Sequence, residues 1–179
     1  MSPCSFTLKP FPGEAPPFPL EITGAITRHT HILALHYELR GDLNALALPQ
    51  PADRPARRDG LWQETCCEFF LAPENFSHYW EFNLSPAGLW NVYGFEAYRQ
   101  GMHEEATLTA LPFTVIKEPT SLFLTLEVEI SGLIPPDQPL DIAIAAVIKA
   151  RDGTLTYWSL AHPGPRPDFH RRDGFIIKL

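Results

Sequence analysis

Glu64, Glu68, Glu81, Asn83 and Ser85 lie in one stretch, residues 61–99, beside Trp62, Trp80 and Trp90. No lysine or arginine interrupts it before Arg99, and it holds more than half of the chain's aromatic residues. Flat apolar rings interleaved with carboxylates and amides suit a small hydroxyl-rich ligand. Rings cover its apolar face and polar groups fix its edges. The same composition also fits a β-rich core whose acids face water. Two acids, Glu68 and Glu81, are also the raw material of a glycosidase acid pair.

These residues need strands to bring them together. Nineteen prolines and eleven glycines punctuate short segments, as in an all-β chain with many turns. Period-two reading gives strands at 4–9, 19–28, 30–40, 61–72, 78–85, 88–95, 108–117, 120–131, 140–150, 154–162 and 173–178. The clearest alternation sets Leu122, Leu124, Leu126, Val128 and Ile130 against Phe123, Thr125, Glu127 and Glu129. Segment 142–148 is apolar on both faces and reads as a central strand. Short helices are allowed only at 41–47 and 96–105, and 48–60 reads as a long loop. The expected architecture is a two-sheet β-sandwich forming a single domain over 1–179.

Within 61–71, Leu61, Thr65, Cys67, Phe69 and Leu71 are expected to face the core, with Trp62, Glu64, Glu68 and Phe70 opposite. Within 79–85, Trp80, Phe82 and Leu84 face the core, and Tyr79, Glu81, Asn83 and Ser85 face away. The intervening APENFS is hairpin-sized, so the two strands pair antiparallel and Glu68 and Glu81 become neighbours. Like charges at that distance need a ligand, a cation or an arginine between them. Arg99, or an arginine from 54–58 such as Arg58 at the rim, is the candidate countercharge.

Net charge is −7, which speaks against a nucleic-acid partner. There is no 18-residue apolar run to span a membrane, and the opening MSPCSFTLKPFPGEAPPF lacks the basic start and apolar run of a signal peptide. Cys4, Cys66 and Cys67 are an odd count without zinc spacing, and are expected to be reduced thiols of a cytoplasmic protein. His29 and His31 share a strand face but lack an adjacent acid to complete a metal site. A structural calcium held by carboxylates and carbonyls stays open, and so does a module that binds only a protein partner.

The run LWQETCCEFFL, then YWEFNLSPAGLWNVYGFEAYRQGM, the later YWSLAHP and PDFH and a closing GF resemble the DOMON-like domains, which are related to family 9 carbohydrate-binding modules. The resemblance covers most of the chain, and the subgroup resembled is bacterial and cytoplasmic. It implies a jelly-roll-type β-sandwich and, by analogy, a cleft for a sugar or for haem b. Carried onto this sequence, it implicates Trp62, Glu64, Thr65, Glu68, Glu81, Asn83 and Trp90, with Arg99 at the rim. No catalytic domain or export signal accompanies the motif, so an intracellular sugar or nucleotide sugar fits better than an external polysaccharide. Haem-binding relatives use a methionine with a histidine or lysine; here Met102 with His170 is the axial pair implied, Met1 being the other methionine. The leading expectation is a non-catalytic module that binds a sugar-like small molecule.

Overall fold

A computed structural model describes residues 3–179 as two β-sheets packed face to face. The strands are β1 (Cys4–Thr7), β2 (Lys9–Pro10), β3 (Leu20–His29), β4 (Ile32–Gly41), β5 (Ala56–Arg57), β6 (Cys66–Pro73) and β7 (Tyr79–Leu84). They continue with β8 (Leu89–Phe95), β9 (His103–Glu104), β10 (Phe113–Lys117), β11 (Ser121–Glu129), β12 (Leu140–Lys149), β13 (Leu155–Ser159) and β14 (Ile177–Lys178). One sheet runs β1-β3-β4-β11-β10. The other runs β2-β13-β12-β6-β7-β8-β5, with β14 added on β12 and β9 on β8. Pairing is antiparallel except between β5 and β8.

Alternation explains the core. Ile22 and Ile26 of β3, Leu33, Leu35, Tyr37 and Leu39 of β4, and Leu122, Leu124, Leu126 and Val128 of β11 form one inner face. Facing them are Cys67, Phe69 and Leu71 of β6, Phe82 and Leu84 of β7, and Ile142, Ile144, Ala146 and Ile148 of β12. Phe69 and Phe82 sit opposite each other across β6 and β7, their rings stacked at 4.4 Å. Such a pair adds about 0.5–1.5 kcal/mol beyond burial. Trp80 points the same way but is only partly buried at the core's edge, its Nε1 donating to Glu105 Oε2 at 2.9 Å.

The second sheet is covered on its outer side as well. A smaller cluster of Phe70, Tyr79, Tyr93, Phe95, Ala143, Ala145 and Phe175, with Trp62 and Phe169 against it, seals that face. This accounts for strands β6 and β8 being buried at every position.

Several elements depart from the sequence expectation. The candidate helix at 41–47 is a 3₁₀ turn, Leu43–Ala45, started by Asp42, which accepts from the Asn44 amide at 3.1 Å. No helix forms in 96–105; a turn at Ala97–Gln100 leads into β9 instead. Strand β6 begins at Cys66, because residues Leu61–Gln63 coil into a 3₁₀ turn entered through Gly60 at φ 74°. The loop 48–60 contributes β5, and β10 starts at Phe113 rather than at 108. No helix among the described residues is long and apolar enough to cross a membrane.

Candidate functional site

The outer face of the second sheet carries rows of side chains fixed by register. Ala145, Glu68, Asn83 and Asn91 lie across from one another on β12, β6, β7 and β8, and Ala143, Phe70, Glu81 and Tyr93 form the next row. Glu68 and Glu81 are therefore diagonal neighbours, a relation that puts Cα atoms about 7–8 Å apart. Above them opens a cleft of about 360 Å³. Its floor includes both acids, and its walls include Trp62, Phe95, Tyr157, Phe169 and His170. That volume is at the small end of the ~300–1,000 Å³ range of ligand pockets.

The two acids are almost wholly removed from water, Glu68 at 2% and Glu81 at 5% exposure. Glu81 Oε1 accepts from Asn83 Nδ2 at 2.9 Å, and Asn83 Oδ1 faces the Cys66 thiol at 3.5 Å. Glu68 Oε1 has no hydrogen-bond partner. Burial, then the neighbouring Glu81, pushes the Glu68 carboxyl well above the usual carboxylate range. Burial raises Glu81 too, while the Asn83 amide and the Arg99 guanidinium pull it back. An unpartnered buried carboxyl is costly in a finished core, and is what a binding floor offers to a ligand.

His170 closes one side of the cleft, ringed by Phe70 at 5.3 Å, Phe95 at 5.1 Å and Tyr79 at 5.9 Å. Its Nδ1 is 2.9 Å from the Tyr79 hydroxyl, which also accepts the Arg99 amide at 3.2 Å. The arrangement that satisfies all three has Tyr79 donating to Nδ1, leaving the His170 proton on Nε2, toward Glu81. Accepting that amide bond accompanies a backbone turn that holds Arg99 at φ 53°, in the left-handed region. The Arg99 guanidinium then binds Asp168 at 2.8 Å, and Tyr98 donates to the same carboxylate at 2.5 Å. Gly101 follows at φ 66°, where a Cβ would meet the Glu96 side chain at 2.6 Å.

The sequence candidates separate into two groups. Trp62, Glu68, Glu81 and Arg99 line the cleft, and Asn83 braces Glu81 from beside it on the same face. Trp90 does not join them. It pairs in register with Leu84, points into the sandwich core at 4% exposure, and is covered by the Arg57 guanidinium at 4.4 Å. Glu64 is exposed and paired with Lys149 at 2.7 Å. Thr65 is buried, tying the end of β12 and the loop at Ala47 to the entry of β6: it receives the Lys149 amide at 3.1 Å and donates to the Ala47 carbonyl at 3.3 Å. Both miss the cleft because the 3₁₀ turn at Leu61–Gln63 breaks period two ahead of β6. Arg58 is exposed and only its amide is engaged, with the Trp90 carbonyl.

Sequence reasoning missed Phe95, Val147, Tyr157, Pro167, Asp168 and Phe169 as cleft residues. For Tyr157 a signal existed, since alternation beside the core residue Trp158 puts it on the outer face. The covering segment 163–176 has no period, so its fold-back onto the sheet was not legible.

Met102 and His170 both line this cleft. The donor set nevertheless suits haem poorly. His170 has Tyr79 on one ring nitrogen and Glu81 beside the other at 3.7 Å, and the floor beneath a porphyrin would be two carboxyls rather than apolar side chains. Among the described residues no three His, Cys, Asp or Glu side chains gather around a possible metal position.

No protein-family model matches the chain, and no curated protein matches it. Its fold is similar to that of a Bacteroides uniformis protein proposed to bind carbohydrate, at TM-score 0.63 and 18% identity, over 93% of this chain and 83% of that one. A family 9 carbohydrate-binding module from Caldicellulosiruptor kristjanssonii in complex with glucose aligns at TM-score 0.45 and 12% identity, over 78% of this chain and 66% of that one. The complex with cellotriose aligns at 0.48 and 9%, over 79% and 65%. The first likeness is one of fold; the two looser ones carry no argument about this chain's ligand.

Proposed function

We propose that this protein is a non-catalytic module that binds a sugar-sized, hydroxyl-rich small molecule in the cleft over Glu68 and Glu81. The observation that carries this reading is the unpartnered Glu68 Oε1, buried on the floor of an aromatic-walled cleft. The Trp62, Phe95, Tyr157 and Phe169 rings offer stacking faces, and the acids offer strong acceptors for hydroxyl protons. Similarity of fold to a protein proposed to bind carbohydrate is consistent with it.

The three free cysteines, two of them fully buried, agree with a reducing compartment such as the cytoplasm. Isothermal titration with mono- and disaccharides and nucleotide sugars tests the binding. At least one is expected to bind the wild type, with Glu81→Gln and Trp62→Ala each weakening it about tenfold or more, the loss of a charge-assisted bond or a stacked ring. Binding unaffected by both changes would move the site elsewhere.

A further inference from the structure

We propose that the occupant of this cleft carries a cationic amino group, as an amino sugar does, and that its ammonium seats between Glu68 and Glu81. The inference rests on the binding reading above and narrows its ligand class. Its starting point is an imbalance of charge. Two carboxyls share the floor, and Glu68 Oε1 has no donor at all. The free edge of Glu81 meets only His170 Nε2, at 3.7 Å, too far for a hydrogen bond.

Arg99 draws Glu81 down from a distance, but no cation of the cleft acts on Glu68. Among the described residues lining it, Arg99 is the one permanent cation, and its guanidinium is held by Asp168 at 2.8 Å. His170 is kept neutral, its value lowered to about 4 by burial and by Arg99. The other titratable groups packed around the acids are neutral. Burial raises the Cys66 and Cys67 thiols of β6, Tyr79 of β7, Tyr93 of β8 and Tyr37 from the facing sheet. Asp168, held below its usual value, is the partner that cancels Arg99, so the pair leaves no net charge at the rim, and Tyr157 presents a phenol from β13.

The chemistry of the gap is therefore acceptor-rich and donor-poor. An ammonium has three donors and no acceptor, so it can bond one oxygen of each carboxyl at once. The rings of Trp62, Phe95 and Tyr157 border the same space and favour a cation over their faces. A neutral hydroxyl would leave the two acids facing each other, one of them protonated. An ammonium favours the ionised form of both acids, so its arrival draws the raised Glu68 carboxyl back down and releases protons as it does so.

The test is titration calorimetry of the whole protein at pH 7, in two buffers of different ionisation enthalpy. The probes are D-glucosamine, N-acetyl-D-glucosamine, D-glucose and cyclohexylamine. Glucosamine is expected to bind about tenfold or more tightly than either neutral sugar, with release of up to one proton per ligand. In Glu68→Gln, checked for an unchanged fold by circular dichroism, this preference should fall below about threefold. A wild type that binds glucose or the N-acetyl sugar as well as glucosamine overturns the ammonium seat and leaves the sugar reading standing. Binding of cyclohexylamine but of no sugar overturns the sugar reading and keeps the ammonium seat. Binding of none of the four overturns both. A glucosamine preference undiminished in Glu68→Gln would remove the seat from this acid pair.

Discussion

His170 Nε2 stands 3.7 Å from Glu81 Oε2, yet this is not an ion pair at neutral pH. Geometry alone would class it as a salt bridge. The imidazole is enclosed by Phe70, Tyr79 and Phe95, and desolvation, with Arg99 nearby, lowers its value to about 4. Burial outweighs the carboxyl because Glu81 is itself raised and shares its charge with Asn83 and Arg99.

That relationship predicts a pH window. The unfolded chain binds the His170 proton at the ordinary value near 6.5, and the folded chain only near 4. Stability linked to neutral His170 is thus present above about pH 6.5 and lost as pH falls toward 4, by at most about 3 kcal/mol. Urea denaturation of wild type and His170→Gln between pH 4 and 7.5 checks it. The wild type should lose stability more steeply across this range; equal slopes would mean that His170 is charged in the folded state.

Glu68 works in the opposite direction. Its folded value is raised, so its favourable contribution is complete below the ordinary carboxylate range and is lost as pH rises through the folded value. Glu68→Gln removes that cost while keeping the side chain's shape. The variant should match wild type near pH 4 and exceed it at pH 8. Higher stability with weaker ligand binding is the mark of an acid kept for function. A destabilised variant at pH 8 would instead make Glu68 a structural acid with an ionic partner.

The floor of the site was legible because β6 and β7 alternate strictly from Cys66 and Tyr79 onward, and a short hairpin sets their register. Trp90 entered the candidates through the family resemblance, and register removes it one strand later. Asn91 and Tyr93 lie opposite Asn83 and Glu81 on the outer face, which leaves Trp90 and Val92 for the core. The polar Asn91 was the available clue, hidden because both faces of β8 are buried. The roof is a different matter. Trp62 is placed by a glycine-entered 3₁₀ turn, and Asp168 to His170 by a loop that packs back over the sheet, neither of which has a hydrophobic period to read.

Two tryptophans separate these roles experimentally. Trp90→Ala should cost about 3–5 kcal/mol, as large aromatic truncations in cores do, and it also removes the ring beneath Arg57. Trp62 is partly buried and meets Tyr93 edge-on at 5.7 Å, so Trp62→Ala should cost only about 1 kcal/mol while weakening the ligand. Chemical denaturation and titration of both variants decide. Comparable stability losses would mean that Trp62 belongs to the core rather than to a cleft wall.

The cysteines give a final test of how tightly the floor strand is held. Cys66 and Cys67 are adjacent on β6, fully buried and facing opposite sides, whereas Cys4 is partly exposed on the edge strand β1. Burial, with Glu68 close by, pushes the Cys67 thiol up to about 12 and Cys66 well above its ordinary value. The thiolate is the reactive form, so both should be inert in the folded protein near pH 8. A thiol reagent is expected to modify Cys4 quickly and the other two only at the rate at which β6 opens. In denaturant without reductant, all three should react. Fast native modification of three thiols would show β6 to be loosely paired. A denatured count of one would reveal a disulfide and remove the support for a reducing compartment.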